Sequence, residues 1–390
     1  MRELFLLDRS IKFLNHGSFG ACPTEVFEVY QDWQRRLERN PVEFLGRQSG
    51  PLLAQAQEVL GAFLKADPED LAFVSNATQG VNTVARSLPF THGDTIVTTD
   101  HEYGALDNAW RFVAEATGAR VVRVPIPLPF QSDQFVDRIF AAVTPATRLI
   151  SLSHITSPSA LVFPVAEVCR RARERGIMTL VDGAHAPGQL ELDLNALGAD
   201  FYIGNCHKWM CAPKGAAFLH VRREHQPKVH ATVVSWGYSE NLDGHESITG
   251  TTTLSRRLQW QGTRDIAAFL SVPAAIHFLE HIDWRGRALR NHELAWQCAT
   301  RAAALSGTEP ICRSTDCAMM AVLPAQVPDA AALQKRLFDQ YRIEVPVMRQ
   351  GERRFVRVSV FGYTTQSDID SLLDALADIG AGAGLPQRAA

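Results

Sequence analysis

The chain has 390 residues, 46% of them hydrophobic, and a formal net charge of -3 from 39 Lys+Arg against 42 Asp+Glu. That is enough apolar material for two or three domains with a large core, and it lacks the basic footprint that nucleic acid or an anionic membrane would need. No apolar run approaches membrane length, and the stretch Met1 to Asp8 meets charge too soon for a secretory leader, so a cytoplasmic protein acting on small molecules is expected.

In chain order, residues 1–20 read as an N-terminal arm, 21–265 as a large domain and 266–390 as a linking helix with a small C-terminal domain. From Leu71 to Val221 short apolar strands alternate with amphipathic helical stretches. The strand Leu71 to Val74 is followed by a helix over Gln79 to Ser87, and Thr95 to Val97 by a helix over Ala105 to Ala116. Further strands fall at Ala119 to Val124, Arg148 to Leu152, Met178 to Val181 and Ala199 to Ile203. This pattern predicts an α/β fold, a mainly parallel sheet with helices on both faces. Gly215 to Val221 follows by a connection too short for a helical crossover and is predicted antiparallel to its neighbour. An interrupted helical stretch, Ile266 to Leu305, leads to a small α+β unit with strands at Ala318 to Leu323 and Phe355 to Val360 and helices at Ala330 to Tyr341 and Gln366 to Ile379. The tail Gly380 to Gly384 reads as a frayed end.

Two strand ends carry the chemistry. Asp182-Gly183-Ala184-His185 closes one apolar run and Gly204-Asn205-Cys206-His207-Lys208-Trp209 closes another, so their polar residues face one crevice. A lysine amine opposite an aspartate is what a pyridoxal cofactor needs: the amine forms the Schiff base and the carboxylate keeps the pyridine nitrogen protonated. Asn76-Ala77-Thr78-Gln79-Gly80 lies between a strand and a helix, where free amides and the Thr78 hydroxyl serve either as a simple N-cap or as a phosphate cup. His185 either bonds the cofactor's phenolic oxygen or is a surface histidine. Tyr103, at the next strand end, either lies flat on the cofactor face opposite the lysine or packs in the core. Ser157 or Thr156 is a further candidate donor to the ring. Arg357, inside an apolar strand, is either at an edge or placed for bidentate capture of a substrate carboxylate. Arg47 is a second carboxylate candidate, with a surface helix charge as the alternative. The seven cysteines lack any C-x-x-C pair and read as reduced thiols. A metal at Cys206, His207 and Cys211 is not expected, because thiolates there would compete with the cofactor lysine and the spacing fits no structural zinc pattern.

These residues resemble those of the aminotransferase class V and cysteine desulfurase superfamily of fold-type I pyridoxal phosphate enzymes, and within it the isopenicillin N epimerase-like group. The likeness runs from about Leu14 to Ile379. It includes Leu14-Asn15-His16-Gly17-Ser18-Phe19-Gly20, Asn40-Pro41-Val42-Glu43-Phe44, His154-Ile155-Thr156-Ser157-Pro158, Trp260-Gln261-Gly262-Thr263-Arg264-Asp265 and Ile343-Glu344-Val345-Pro346-Val347. The resemblance implies pyridoxal 5'-phosphate as cofactor, Lys208 as the Schiff-base lysine, Asp182 as the pyridinium partner, Tyr103 as the stacking residue and Ala77 with Thr78 in the phosphate cup. It also implies His207 near the phosphate and Arg357 on the substrate carboxylate, with His16 and Arg47 as further substrate residues. Gly262 and Thr263 would reach the phosphate of the neighbouring subunit, giving a homodimer with shared active sites. Two departures matter. No cysteine follows Cys317, and Val347-Met348-Arg349-Gln350-Gly351 stands where cysteine desulfurases carry their nucleophile, so thiol-dependent desulfuration is not expected. Tyr363-Thr364-Thr365 replaces the frequent Tyr-Asn-Thr. The expected activity is epimerisation or racemisation of an amino-acid-type substrate, with Cβ-S elimination from a cysteine conjugate or transamination as alternatives that share the same lysine.

Overall fold

The computed structural model describes residues 1–239, 250 and 252–380. Seven strands form one sheet: β2 (Leu71–Val74), β3 (Thr95–Thr99), β4 (Arg120–Val124), β5 (Thr147–Ser153), β6 (Met178–Gly183), β7 (Phe201–Asn205) and β8 (Ala217–Val221). Their spatial order is β2-β8-β7-β6-β5-β3-β4, and only β8 runs antiparallel to its neighbours, pairing that way with both β7 and β2. The antiparallel final strand was therefore correctly read from its short connection. β2, β3, β7 and β8 are buried along their whole length, as expected of strands covered on both faces. The edge strand β4 exposes Arg120 and Arg123, charges that discourage pairing with another chain.

One face of the sheet is covered by helices Ala77–Ser87 and Gly104–Thr117, which bury Val81, Val84, Leu106, Trp110 and Val113 against Ile96, Leu149 and Ile203. The other face packs on helices that include Ser49–Leu64, Val165–Arg173 and Val272–His281, through Leu60, Val168 and Phe278 among others. The helix Gly104–Thr117 ends at Gly118, whose φ of 76° reverses the chain as a residue with a Cβ rarely does.

A second sheet, in the order β11-β12-β9, joins Val347–Gln350, Arg353–Ser359 and Met320–Pro324 antiparallel. Helices Trp284–Ser306, Ala330–Tyr341 and Gln366–Ile379 pack around its core of Val356, Val358, Leu337 and Leu372. The last two match the ranges predicted from periodicity, and Gln366–Ile379 starts on a capping box between Thr365 and Asp368. The start of the chain joins this unit: β1 (Lys12–Phe13) pairs in parallel with β10 (Ile343–Glu344), and Gly17 N-H donates to Ser359 Oγ at 3.1 Å. The segment then passes beneath the lysine loop. At Gly20, with φ 71°, a Cβ would stand 2.0 Å from the His207 carbonyl oxygen, so only glycine allows this approach. The glycine-rich tail beyond residue 380 lies outside the described residues.

Candidate active site

The parallel strands all deliver their C-terminal ends to one edge of the sheet, where ligands of open α/β sheets bind. A cavity of about 380 Å³ opens there, walled by residues following β2, β3, β5, β6 and β7. Asn76, Ala77 and Thr78 come from the β2 end, Tyr103 from β3, Ser153 and Ser157 from β5, Asp182 and His185 from β6, and Asn205, His207 and Lys208 from β7. Residues predicted across 131 sequence positions, from Ala77 to Lys208, thus converge on one wall.

Lys208 is the centre of this wall. Burial, reinforced by the Arg357 charge, lowers its amine to about 7, although Asp182 pulls the other way. Its Nζ lies 3.1 Å from His185 Nε2. The Trp209 indole N-H donates to His185 Nδ1 at 3.4 Å, so a neutral His185 carries its proton on Nε2 and points it at the lysine amine. Burial, with Lys208, Arg357 and His207 adding like charge, keeps His185 well below its ordinary range. Both observations favour an amine with a free lone pair, the form needed for nucleophilic attack or proton removal. Asp182 is buried at the end of β6, with Oδ1 accepting from Ala184 N-H at 2.9 Å; burial raises its carboxyl and Lys208 lowers it.

At the β2 end the helix N-cap is Asn76, whose side chain accepts from Gln79 N-H, and not Thr78 as the motif first suggests. The helix begins two residues earlier than predicted because Asn76 is extended, with φ -166°, and takes the capping role itself. Ala77 and Thr78 therefore occupy the first turn, where backbone N-H groups have no intrahelical acceptors and an anion is favoured. Asn205 Oδ1 accepts from Ala77 N-H at 2.9 Å and ties this turn to the lysine strand. His207 Nδ1 lies 3.0 Å from the Ala216 carbonyl, and burial lowers the ring to about 4.

Arg357, on the small sheet, does not line the cavity itself but bonds two residues that do, Ser157 and Ser18. Its Nη1 donates to the Ser157 carbonyl at 2.6 Å and to Ser157 Oγ at 3.1 Å, and Nη2 donates to Ser18 Oγ at 3.2 Å. It is 2% exposed, which excludes the solvated-edge alternative, and Nε is buried without a partner. Burial lowers it to about 10, so the guanidinium remains charged at neutral pH. Of the two donors proposed near the ring, Ser157 lines the cavity, whereas Thr156 is fully buried and spends its hydroxyl on Ser159 Oγ and Leu161 N-H. Tyr103 is 47% exposed and lines the cavity, so it does not pack in the core.

Two further expected substrate residues are likewise absent from the cavity wall. His16 is fully buried: its ring stacks on Phe361 at 3.9 Å, Nδ1 lies 2.9 Å from Tyr363 Oη and Nε2 lies 3.1 Å from the Lys208 carbonyl. It braces the lysine's backbone, and burial lowers it to about 3. Arg47 stands on the surface, ion-paired with Glu43 one helical turn away, so in this chain it is the surface helix charge of its alternative reading. Gly262 and Thr263 likewise do not wall the cavity of their own chain; Gln261 beside them accepts from Gln79 of the helix Ala77–Ser87 at 3.1 Å.

Four residues received no role from sequence reasoning. Asn205 and Glu102 both sit inside the motifs that pointed to the site, but only their hydrogen bonds reveal their work. Glu102 is wholly buried and accepts from Thr99 Oγ1 at 2.7 Å and from Ser153 N-H and Oγ at 2.8 and 2.6 Å. Ser18 meets Arg357 across the fold, and Lys214 lines the cavity with its amine lowered by burial. Among the described residues no cysteine lines the cavity.

The donor set fits pyridoxal phosphate: a buried amine lowered to about 7, a buried carboxyl group coupled to it by charge, a helix N-terminus on the cavity wall, and an arginine with an orphaned Nε behind that wall. These features define a pyridoxal phosphate enzyme built on the fold-type I sheet. Residues 20–372 match the family model described as aminotransferase class-V, and the chain belongs to that family. It is 37% identical over 388 residues to an isopenicillin N epimerase from Amycolatopsis lactamdurans, covering 97% of each chain. It is 29% identical to a probable chloroplastic L-cysteine desulfhydrase from Arabidopsis thaliana, covering 93% of this chain and 82% of the relative. Among solved structures, a C-DES mutant with glycine covalently linked to its pyridoxal cofactor superposes with a TM-score of 0.84 at 23% identity, over 97% of this chain and 99% of the other, which confirms the fold. The cofactor is pyridoxal phosphate.

Proposed function

We propose that this enzyme acts at Cα of an amino-acid-type substrate as an epimerase, with Lys208 and Tyr103 handling the proton on the two faces of the cofactor. The observation that carries this reading is the Lys208 amine, lowered to about 7 and sharing one cavity with the half-exposed Tyr103, whose phenol interacts with the Arg357 charge. A lysine half-deprotonated at neutral pH can take a proton and hold it, and the phenol on the same cavity wall is the group proposed for the other face. The 37% likeness to an isopenicillin N epimerase supports the same reading. When bound, pyridoxal phosphate supplies the electron sink that lets a Cα proton leave. Asp182 would hold the ring nitrogen protonated, Ala77, Thr78 and His207 would take the phosphate, Ser157 and His185 would donate to the ring, and Arg357 would take the substrate carboxylate. Gly262 and Thr263, which do not wall the cavity of their own chain, would complete the phosphate site of the partner in a homodimer. No described helix is long and apolar enough to cross a membrane, and a cytoplasmic location is part of the proposal.

The 29% likeness to a cysteine desulfhydrase favours one second reading, elimination at Cβ from a cysteine-type substrate by the same lysine. Incubation with amino acids and cysteine conjugates in deuterated water separates the two. Epimerisation gives Cα deuterium with scrambled stereochemistry and no keto acid. Elimination gives pyruvate with a released sulfur species, and stoichiometric amino transfer would place the enzyme with the transaminases. Sulfide from free cysteine with a persulfide on the protein would overturn the exclusion of thiol-dependent desulfuration.

A further inference from the structure

Lys214 lines the cavity and remains exposed, yet it has no part in the chemistry assigned so far. It stands on the loop that carries Lys208, and that loop is closed on itself. Cys206 and His207 N-H both donate to the Ala216 carbonyl at 3.1 Å, while Ala212 N-H donates to the Cys206 carbonyl and Cys211 N-H to the Lys208 carbonyl, each at 3.0 Å. The loop therefore presents two lysines to one cavity from fixed backbone positions.

The second amine lacks a counter-ion. Among the described residues Lys214 makes no ion pair and no hydrogen bond, and Asp182, which faces Lys208, is the one carboxyl on the cavity wall. Burial lowers the Lys214 amine and no carboxylate offsets this, so an arriving anion would restore what desolvation removes. The N-terminal segment packs directly on the lysine loop, where a Cβ at Gly20 would touch the His207 carbonyl. The same segment supplies Ser18 and Phe19 to the cavity wall, and Ser18 Oγ accepts from Arg357 Nη2 at 3.2 Å. The charge of Lys214 is felt by His16 and Cys22 on either side of them. Two cations thus flank one short stretch of wall, Arg357 behind it and Lys214 on it.

We propose that Lys214 selects a substrate with a second anionic group, a carboxylate on the side chain, while Arg357 takes the α-carboxylate. This rests on the reading of the cavity as a site for Cα chemistry on an amino acid. The substrate's side chain would lie along Phe19, Tyr103, Leu106 and Ile155, an aromatic and aliphatic wall on which Lys214 is the one cation besides Lys208. The competing occupant is the cofactor's phosphate, because the Lys214 charge also reaches His207. The phosphate, however, has the N-terminus of helix Ala77–Ser87 on the same wall to neutralise it, whereas a side-chain carboxylate would meet no other positive group.

The test gives the cofactor-loaded wild type, Lys214→Met and Lys214→Arg a series of acid–amide pairs in deuterated water: aspartate with asparagine, glutamate with glutamine, and homologues lengthened by methylenes. Cα deuterium is read by NMR. The wild type should prefer the acid of the best-fitting pair roughly tenfold in kcat/KM, mainly through KM, the scale of a charge-assisted hydrogen bond. Lys214→Met should abolish that preference and Lys214→Arg should keep most of it. The same acid-to-amide ratio in wild type and Lys214→Met would overturn the inference and leave the Cα chemistry standing, whereas a wild type that exchanges no member of the series would overturn both. Equilibrium dialysis of the three holoenzymes should show equal retention of pyridoxal phosphate. A markedly weaker hold in Lys214→Met would assign the amine to the cofactor's phosphate and overturn the substrate role.

Discussion

Replacing Glu102 by Gln should flatten the dependence of stability on pH. The carboxyl is wholly buried, and burial raises it from 4.5 to about 7 in spite of hydrogen bonds from Ser153 and Thr99, with the Asp182 charge adding to the rise. Because the folded-state value lies above the unfolded one, the stabilisation is fully present below 4.5 and is lost as pH rises through 7. A shift of this size corresponds to about 3 kcal/mol, of which about 2.5 kcal/mol is lost between pH 5 and 8.5. Gln imitates the protonated acid: its oxygen accepts from Ser153 N-H and Oγ, and its amide faces Thr99 Oγ1, which already accepts from His101 N-H at 3.1 Å. Urea unfolding of the apoenzyme, chosen so that cofactor binding does not add its own pH dependence, measures the difference between the two pH values. The wild type should lose about 2.5 kcal/mol more than Glu102→Gln across that range. Parallel curves for the two proteins would refute the buried-acid argument.

Borohydride should fix the cofactor to Lys208, and Lys208→Ala should abolish both that attachment and Cα deuterium exchange, as peptide mapping and NMR will read. Asp182→Asn should keep the fold and much of the cofactor but lose turnover on the order of a hundredfold, since a buried charge-assisted hydrogen bond is worth about 3 kcal/mol; circular dichroism and steady-state kinetics check both halves. Arg357→Ala should raise KM by roughly a hundredfold for carboxylate-bearing substrates with a smaller change in kcat, on the same energetic scale. Mixing Lys208→Ala subunits with Thr263 variants should alter activity in the heterodimer, measured at micromolar concentration, whereas a fully active monomer would exclude shared sites.

The sequence by itself determined the sheet and the two residues at its centre. Strand periodicity, the short link before β8 and the polar residues closing β6 and β7 are local features, and a strand end cannot avoid the edge where its neighbours also end. The arginine strand was legible for the same reason, a charge interrupting an apolar run. What only the tertiary structure decided depends on pairings far apart in the chain. Arg357 is held by Ser157, 200 residues earlier, and by Ser18, 339 residues earlier; Ser18 does not stand out in its own neighbourhood, and Ser157 reads locally as a donor to the ring and not as a partner of the arginine. His16 lies in a motif associated with the site yet bonds Tyr363 and the back of the lysine loop, while Ser18 and Phe19 of the same segment line the cavity. Glu102 is adjacent to Tyr103, but only the packing of β3 against β5 buries its carboxylate beside Ser153 while leaving the tyrosine at the cavity wall. Local pattern sets which element a residue joins; desolvation and the partners available to it are set by elements from elsewhere in the chain, and they decide what the residue does.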